Sequence, residues 1–387
     1  MPRIQNFTMF PNFRYYSADN KGADFGVVIV KATFELMPSG RLVVADEQAP
    51  MLFDDECHGK PNESSLWHPS DLVPHKPNTD LIVNATARAP GNKPTSSWRC
   101  GIGIDDSTGK VLLLKPLRVT GPRRWIPRWR RDLTDEEKRE WRKHRSDFDK
   151  WELSQPEPVA ELPIRYEFAF GGSKPIGEDE SGKIVRDSDP RNPLGCAAID
   201  RDWSDHTQAH IAPQIEDPKN PIADPYKAYA PESLGAIPPA WEPRLPLGGA
   251  YDDHWQKNIW PEWPPDYSFA YHNSAHPGLI CDGYLAGDER ISMVGFFRER
   301  TNLACWLPGT RIRLDWFGDN NTFSQTFMNL DTLFVDVNTT RPRDYRVILV
   351  WRTRFAPDRF HTVQIHDETP RLPAKTIRRN IQKRRSA

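Results

Sequence analysis

The chain contains no apolar run of about 18 residues, the length that a bilayer-crossing helix needs, and its start, MPRIQNFTMFPNFRYY, carries no apolar core behind basic residues. Both absences point away from membrane insertion and secretion and predict a cytoplasmic protein. Net charge is missing as well. The 52 Lys and Arg stand against 53 Asp and Glu, a formal charge of -1, so no global field draws the chain to nucleic acid or anionic lipid. Cysteine is sparse: Cys57, Cys100, Cys196, Cys281 and Cys305 are odd in number, scattered and never in a CxxC pair. That argues against a disulfide framework or a zinc ribbon and predicts reduced, mostly buried thiols. There is no Walker loop, no GxGxxG following a strand and no GxSxG, so nucleotide binding and serine-hydrolase chemistry have no motif to rest on.

What is abundant is proline and aromatic residues. The 37 Pro, 14 Trp, 18 Phe and 10 Tyr describe a folded chain with long ordered loops rather than a disordered one. Residues 1–120 form an N-terminal β region. FGVVIVKATFELMPSGRLVVA (25–45) is two β-branched runs around Pro38-Ser39-Gly40, and SWRCGIGIDDSTGKVLLLKPLRV (97–119) turns at 105–109; both patterns predict hairpins. Residues 121–155 form a charged helical arm, with Thr134 and Glu137 spaced as a capping box and Trp141, Phe148 and Trp151 as a thin apolar stripe. Residues 156–265 are a Pro/Gly-rich loop region with one strand, LPIRYEFAFGG (162–172). Residues 266–366 form a C-terminal β region whose YRVILVWRTRF (345–355) alternates Val347, Leu349 and Trp351 against Arg346, Ile348, Val350 and Arg352, which predicts one partly solvated face. Residues 367–387 are a basic tail expected to be disordered. The fold class predicted is mainly β: an antiparallel, sandwich-like scaffold with long Pro-rich loops and one charged helical arm, its two β regions forming either one composite core or two lobes.

Three groups of residues invite a chemical reading. NSAHPGLICDGYLAGDER (273–290) gathers Asn273, His276, Cys281, Asp282, Asp288 and Glu289, but His276-Pro277-Gly278, Asp282-Gly283 and Gly287-Asp288 are turn formers, so a scaffold role is expected. Cys57, His58, His68 and His75 fall close together, yet their spacing matches no zinc template. Asp252, Asp253, Glu262 and Asp266 lie among tryptophans, as the paired carboxylates of a carbohydrate-active enzyme would; the same text suits a wrapped loop in which carboxylates satisfy Trp N–H groups. No catalytic residue, cofactor or metal is expected.

PNFRYYSADNKGADFGVVIVKATFEL, LPIRYEFAFGG followed by NPLG, PPAWEPRLPLGGAYDDHWQKNIWPEWPPDY, YHNSAHPGLICDGYLAGDERISMVGFF and the Leu-Pro-Gly at 307–309, in that order, resemble the bacterial effector-adaptor family of type VI secretion, which was long catalogued as a domain of unknown function. Where many members carry Asn-x-Ala-Pro-x-Asp-Gln, this chain reads Asn273-Ser274-Ala275-His276-Pro277-Gly278-Leu279. The resemblance implies a non-catalytic chaperone that holds a toxin effector, commonly PAAR-linked, and delivers it to the valine-glycine-repeat spike. Exposed Trp and Arg are frequent interface anchors, so RRWIPRWRR (123–131) nominates Trp125, Trp129, Arg130 and Arg131, with Trp141 on the arm, as partner-binding residues. Oligomeric state is left open.

Overall fold

The computed structural model describes residues 1–19, 21–127, 134–136, 139, 151–197, 209–339 and 341–369. Its centre is a seven-stranded mixed sheet in the order Asn12–Ala18, Asp24–Leu36, Arg346–Phe355, Asn329–Asp336, Thr79–Asn84 and Ile280–Cys281, with Leu42–Val44 pairing beside Asp24–Leu36. Two long β-branched strands lie at its heart, Asp24–Leu36 antiparallel to Arg346–Phe355. Thr79–Asn84 runs parallel to Asn329–Asp336. The two ends of the sequence therefore build one sheet, and no boundary between an N-terminal and a C-terminal lobe passes through it.

Strand periodicity divides this sheet into two unlike faces. Val28, Val30, Ala32, Val347, Leu349, Trp351, Leu333, Val335, Leu81 and Val83 form one face, each 2% exposed or less. They share a contiguous buried cluster with Ile102, Ile104, Leu117, Ile291 and Met293 of a five-stranded sheet and with Ile312, Leu314, Val363 and Ile365 of a four-stranded one. Each fully buried aliphatic side chain there stabilises the fold by about 1.5–3 kcal/mol. The five-stranded sheet runs Ile215–Glu216, Val111–Thr120, Ser97–Asp105, Arg290–Val294, Asn302–Trp306. The opposite face of the central sheet carries Lys31, Thr33, Thr332, Phe334, Asp80, Ile348, Val350 and Arg352. It too is buried, with Ile348 at 7%, Val350 at 1% and Arg352 at 3% exposed, so the solvated face expected from the alternation is covered instead.

The mainly β class holds, as do both hairpins, around Pro38–Gly40 and around 106–110. Three differences have identifiable causes. The expected strand at 162–172 is broken into Glu161–Pro163, a 3-10 turn at Tyr166–Phe168 and Phe170–Gly171. Side chains take over the backbone groups there: Ser65 Oγ accepts from Tyr166 N at 3.0 Å, and Asn192 Nδ2 donates to Tyr166 O at 2.8 Å and to Phe170 O at 2.9 Å. The loop region holds an exposed hairpin, Ser173–Glu178 with Ile184–Ser188, whose turn Asp179 ties by accepting from Ser181 N and Lys183 N. A short helix, Asp253–Asn258, starts where Asp252 Oδ1 accepts from Trp255 N at 2.8 Å. The expected helical arm is corrected at both ends, where Arg123–Pro127 and Trp151–Leu153 are antiparallel strands paired with each other; Glu137, Trp129, Arg130, Arg131, Trp141 and Phe148, and the basic tail beyond Thr369, lie outside the described residues.

Candidate functional site

The buried polar face of the central sheet carries a continuous ionic seam. Lys31 Nζ meets Asp71 Oδ2 at 2.7 Å, and Asp71 also accepts from Leu52 N at 2.9 Å. Arg352 donates through Nη2 to Asp71 O at 3.0 Å and pairs through Nη1 with Asp331. Thr332 Oγ1 donates to Asp331 Oδ1 at 2.9 Å and accepts from Lys76 Nζ at 2.9 Å. Lys76 then reaches Asp80 Oδ2 at 2.7 Å. Asp80 is wholly buried and closes the run by accepting from Asn273 Nδ2 and Ser274 N, both at 2.8 Å. Six charged side chains thus alternate in sign across four strands and the loop that precedes Thr79–Asn84.

Such pairs add little net stability, because withdrawing each ion from water offsets the attraction; what they specify is position, since a mispaired charge in this environment is expensive. Burial raises the carboxyl of Asp331 despite its cationic neighbours Arg352 and Lys76. His75 is pushed down to about 4, first by burial and then by Arg354 and Arg352, so its ring is neutral at pH 7.

Two cavities open on this face. One, of about 280 Å³, is lined by His75, Lys76, Tyr284, Asp331, Arg352 and Arg354. The other, of about 400 Å³, lies at the Lys31 end, between Gln48, Trp67, His68, Phe334 and Ile348. His68 packs against Phe334, ring centroids 4.4 Å apart and tilted by 44°, and is held down to about 4 by burial and by Lys31.

The residues of 273–290 are braces in this structure. Asn273 and Ser274 hold Asp80. His276 Nδ1 accepts from Gly278 N at 3.0 Å, capping the 3-10 turn Pro277–Leu279, and its Nε2 faces Glu232 at 3.7 Å. Cys281 pairs with Thr79 in the central sheet, its thiol pushed up to about 12 by burial. Glu289 accepts from Ala286 N at 2.6 Å and Gly287 N at 2.9 Å, fixing the turn before Arg290–Val294. All five cysteines are free, with Cys100, Cys281 and Cys305 buried. Among the described residues, Cys57, His58, His68 and His75 are not gathered with one another or with acids as a metal-binding group.

Of the carboxylates set among tryptophans, Asp252 caps its helix, Asp253 reaches exposed Lys257 at 3.5 Å and Asp266 accepts from Ala250 N at 3.1 Å. Trp255 Nε1 finds the backbone oxygen of Glu262 at 2.8 Å. Trp125 is 2% exposed, in a satellite cluster with Trp151, Phe170, Ala212, Ile222 and Tyr229. Its ring therefore offers a partner no free surface.

Sequence reasoning missed the seam. Its signals were Lys31 inside an otherwise β-branched run, which drew no separate reading, and Arg352 inside YRVILVWRTRF, in the row expected to be partly solvated.

No curated protein and no solved structure matches the chain significantly. A family described as an uncharacterized protein conserved in bacteria (DUF2169) matches over residues 21–352, a span that takes in the central sheet from Asp24 to Arg352 and the whole seam, and the chain belongs to that bacterial family.

Proposed function

We propose that the protein is a non-catalytic adaptor that holds a toxin effector of type VI secretion, PAAR-linked or similar, and helps load it onto the secretion spike. The resemblance of its ordered motifs supplies the setting. The observation that carries the reading is the loop at 245–263, where Leu245, Tyr251 and Trp260 are 53%, 58% and 67% exposed. That loop is held by polar groups within it and just beyond it: the Asp252 cap, the Asp266 contact to Ala250 N and the Trp255 bond to Glu262 O. Aromatic rings presented on a fixed backbone remove a large area from water while little conformational freedom is lost, which is what a preorganised protein-binding surface needs.

The test is co-purification of the full chain with the product of the adjacent open reading frame, where an effector or spike gene is expected. A stable complex supports the adaptor, and Tyr251→Ala with Trp260→Ala should weaken it about tenfold or more. An unaltered complex moves the contact away from this loop. Failure to form any complex with the neighbouring products, or hydrolysis of a glycan panel by the purified chain, overturns the reading.

A further inference from the structure

The exposed loop connects to the 280 Å³ cavity through a file of aromatic rings. Trp263 meets Tyr267 at 4.5 Å, Tyr267 meets Phe269 at 5.5 Å, and Phe269 meets the His75 ring edge-on at 5.3 Å. The Arg354 guanidinium lies over Phe269 at 5.2 Å and over Phe25 at 4.7 Å. His75 and Arg354 both line the cavity.

Inside, the hydrogen-bond inventory is incomplete. Arg352 is 3% exposed; it spends Nη1 on Asp331 and Nη2 on Asp71 O, while its buried Nε–H has no acceptor among the described residues. A buried guanidinium donor without an acceptor is uncommon in a native protein and calls for an explanation. Charge is unbalanced in the same sense. Asp80 answers Lys76 and Asp331 answers Arg352, but Arg354 is exposed and has no ion pair among the described residues. The cavity wall carries Lys76, Arg352 and Arg354 against Asp331, and Asp19, which is not part of the lining, is an acid that interacts with Arg354 through charge.

We propose that this cavity receives a carboxylate of the protein partner, an aspartate or glutamate side chain, with the Arg354 guanidinium as its donor and with Lys76 and Arg352 of the same wall supplying positive charge. A guanidinium matches a planar carboxylate, and a wall in which cations outnumber acids but which includes Asp331 matches a monoanion better than a phosphate dianion. The inference rests on the adaptor reading for the source of the carboxylate and on the cavity for its chemistry.

The test titrates the full chain at low salt with the blocked peptides Ac-Gly-Glu-Gly-NH2 and Ac-Gly-Gln-Gly-NH2, with succinate and with inorganic phosphate, followed by NMR shifts. Saturable binding of the Glu peptide, none of the Gln peptide, weaker binding of phosphate, and a loss of about tenfold or more in Arg354→Gln are expected. Arg354 is exposed, so that variant should fold even where Arg352→Lys does not. No saturable binding of the Glu peptide overturns the site, and succinate binding more tightly than the peptide overturns the partner as its source. If the Glu peptide binds but no neighbouring product co-purifies, the cavity chemistry stands and the adaptor reading falls. If the complex forms and is indifferent to Arg354→Gln and to excess Glu peptide, the adaptor stands and this inference falls.

Discussion

Mild acid should destabilise the fold through two buried histidines. His68 is 4% and His276 9% exposed, and burial holds them down to about 4 and about 3 from an ordinary value near 6.5. Burial is the main cause, followed by a nearby lysine, and the hydrogen bonds fix where the second proton would have to go. His276 Nδ1 is already the acceptor for Gly278 N, Lys115 stands nearby, and a proton on Nδ1 would set N–H against N–H. His68 Nδ1 donates to Pro69 O, leaving Nε2 as the only site for the proton, buried without an acceptor among the described residues and near Lys31. A histidine whose folded pKa is depressed gives stability that is present above the unfolded value and is lost as pH falls from near 7 toward 4 or 3. With those values each ring costs about 2 kcal/mol at pH 5 relative to pH 8, about 4 kcal/mol for the pair, a large share of a typical 5–15 kcal/mol stability. Glu232, raised by burial and facing His276, works in the opposite direction and trims the loss. The assay is urea unfolding at pH 8 and pH 5, repeated in His276→Asn, whose Oδ1 can keep the Gly278 cap, and in His68→Asn, whose amide can still donate toward Pro69 O. Each variant should remove its own ring's share, about 2 kcal/mol, of the acid loss. Equal wild-type stability at the two pH values within about 1 kcal/mol would refute the reasoning.

Breaking the seam at one partner should be worse than removing both. Arg352→Met is expected to cost about 3–5 kcal/mol because it strands Asp331, and adding Asp331→Leu should recover most of that in urea unfolding; a double variant as unstable as the single one would show that the two charges are not paired. The turn glycines should separate by their surroundings. Gly40 and Gly109 both have positive φ, +82° and +90°, but a Cβ on Gly40 would lie 2.1 Å from Ala304 O of the neighbouring strand, whereas none of the described atoms lies within 4 Å at Gly109. Gly40→Ala should therefore cost well over 2 kcal/mol and Gly109→Ala about 1 kcal/mol, read as urea midpoints.

How much of this was legible in the sequence varies from element to element. The two hairpins were, because turn glycines and β-branched runs act within a few residues of one another. The bracing role of 273–290 was also legible, since Asn, Pro, Gly and Asp at those spacings are turn chemistry wherever they occur. The break at 162–172 was not, since Ser65 and Asn192, which take the strand's hydrogen bonds, come from other parts of the chain. Trp125 could not be placed either: a tryptophan among arginines reads alike whether it anchors a partner or fills a satellite core, and its contacts with a cluster reaching to Tyr229 decide for the latter.

By itself the sequence determined that this is a mainly β protein with few, scattered cysteines, little net charge and proline-rich loops, because composition and nearest-neighbour periodicity are properties of the chain alone. Only the tertiary structure decided that the second face of the central sheet is covered and that Lys31, Asp71, Arg352, Asp331, Lys76 and Asp80 form one seam. A period of two reports which side chains share a face, but what packs over that face is set by segments far away in sequence.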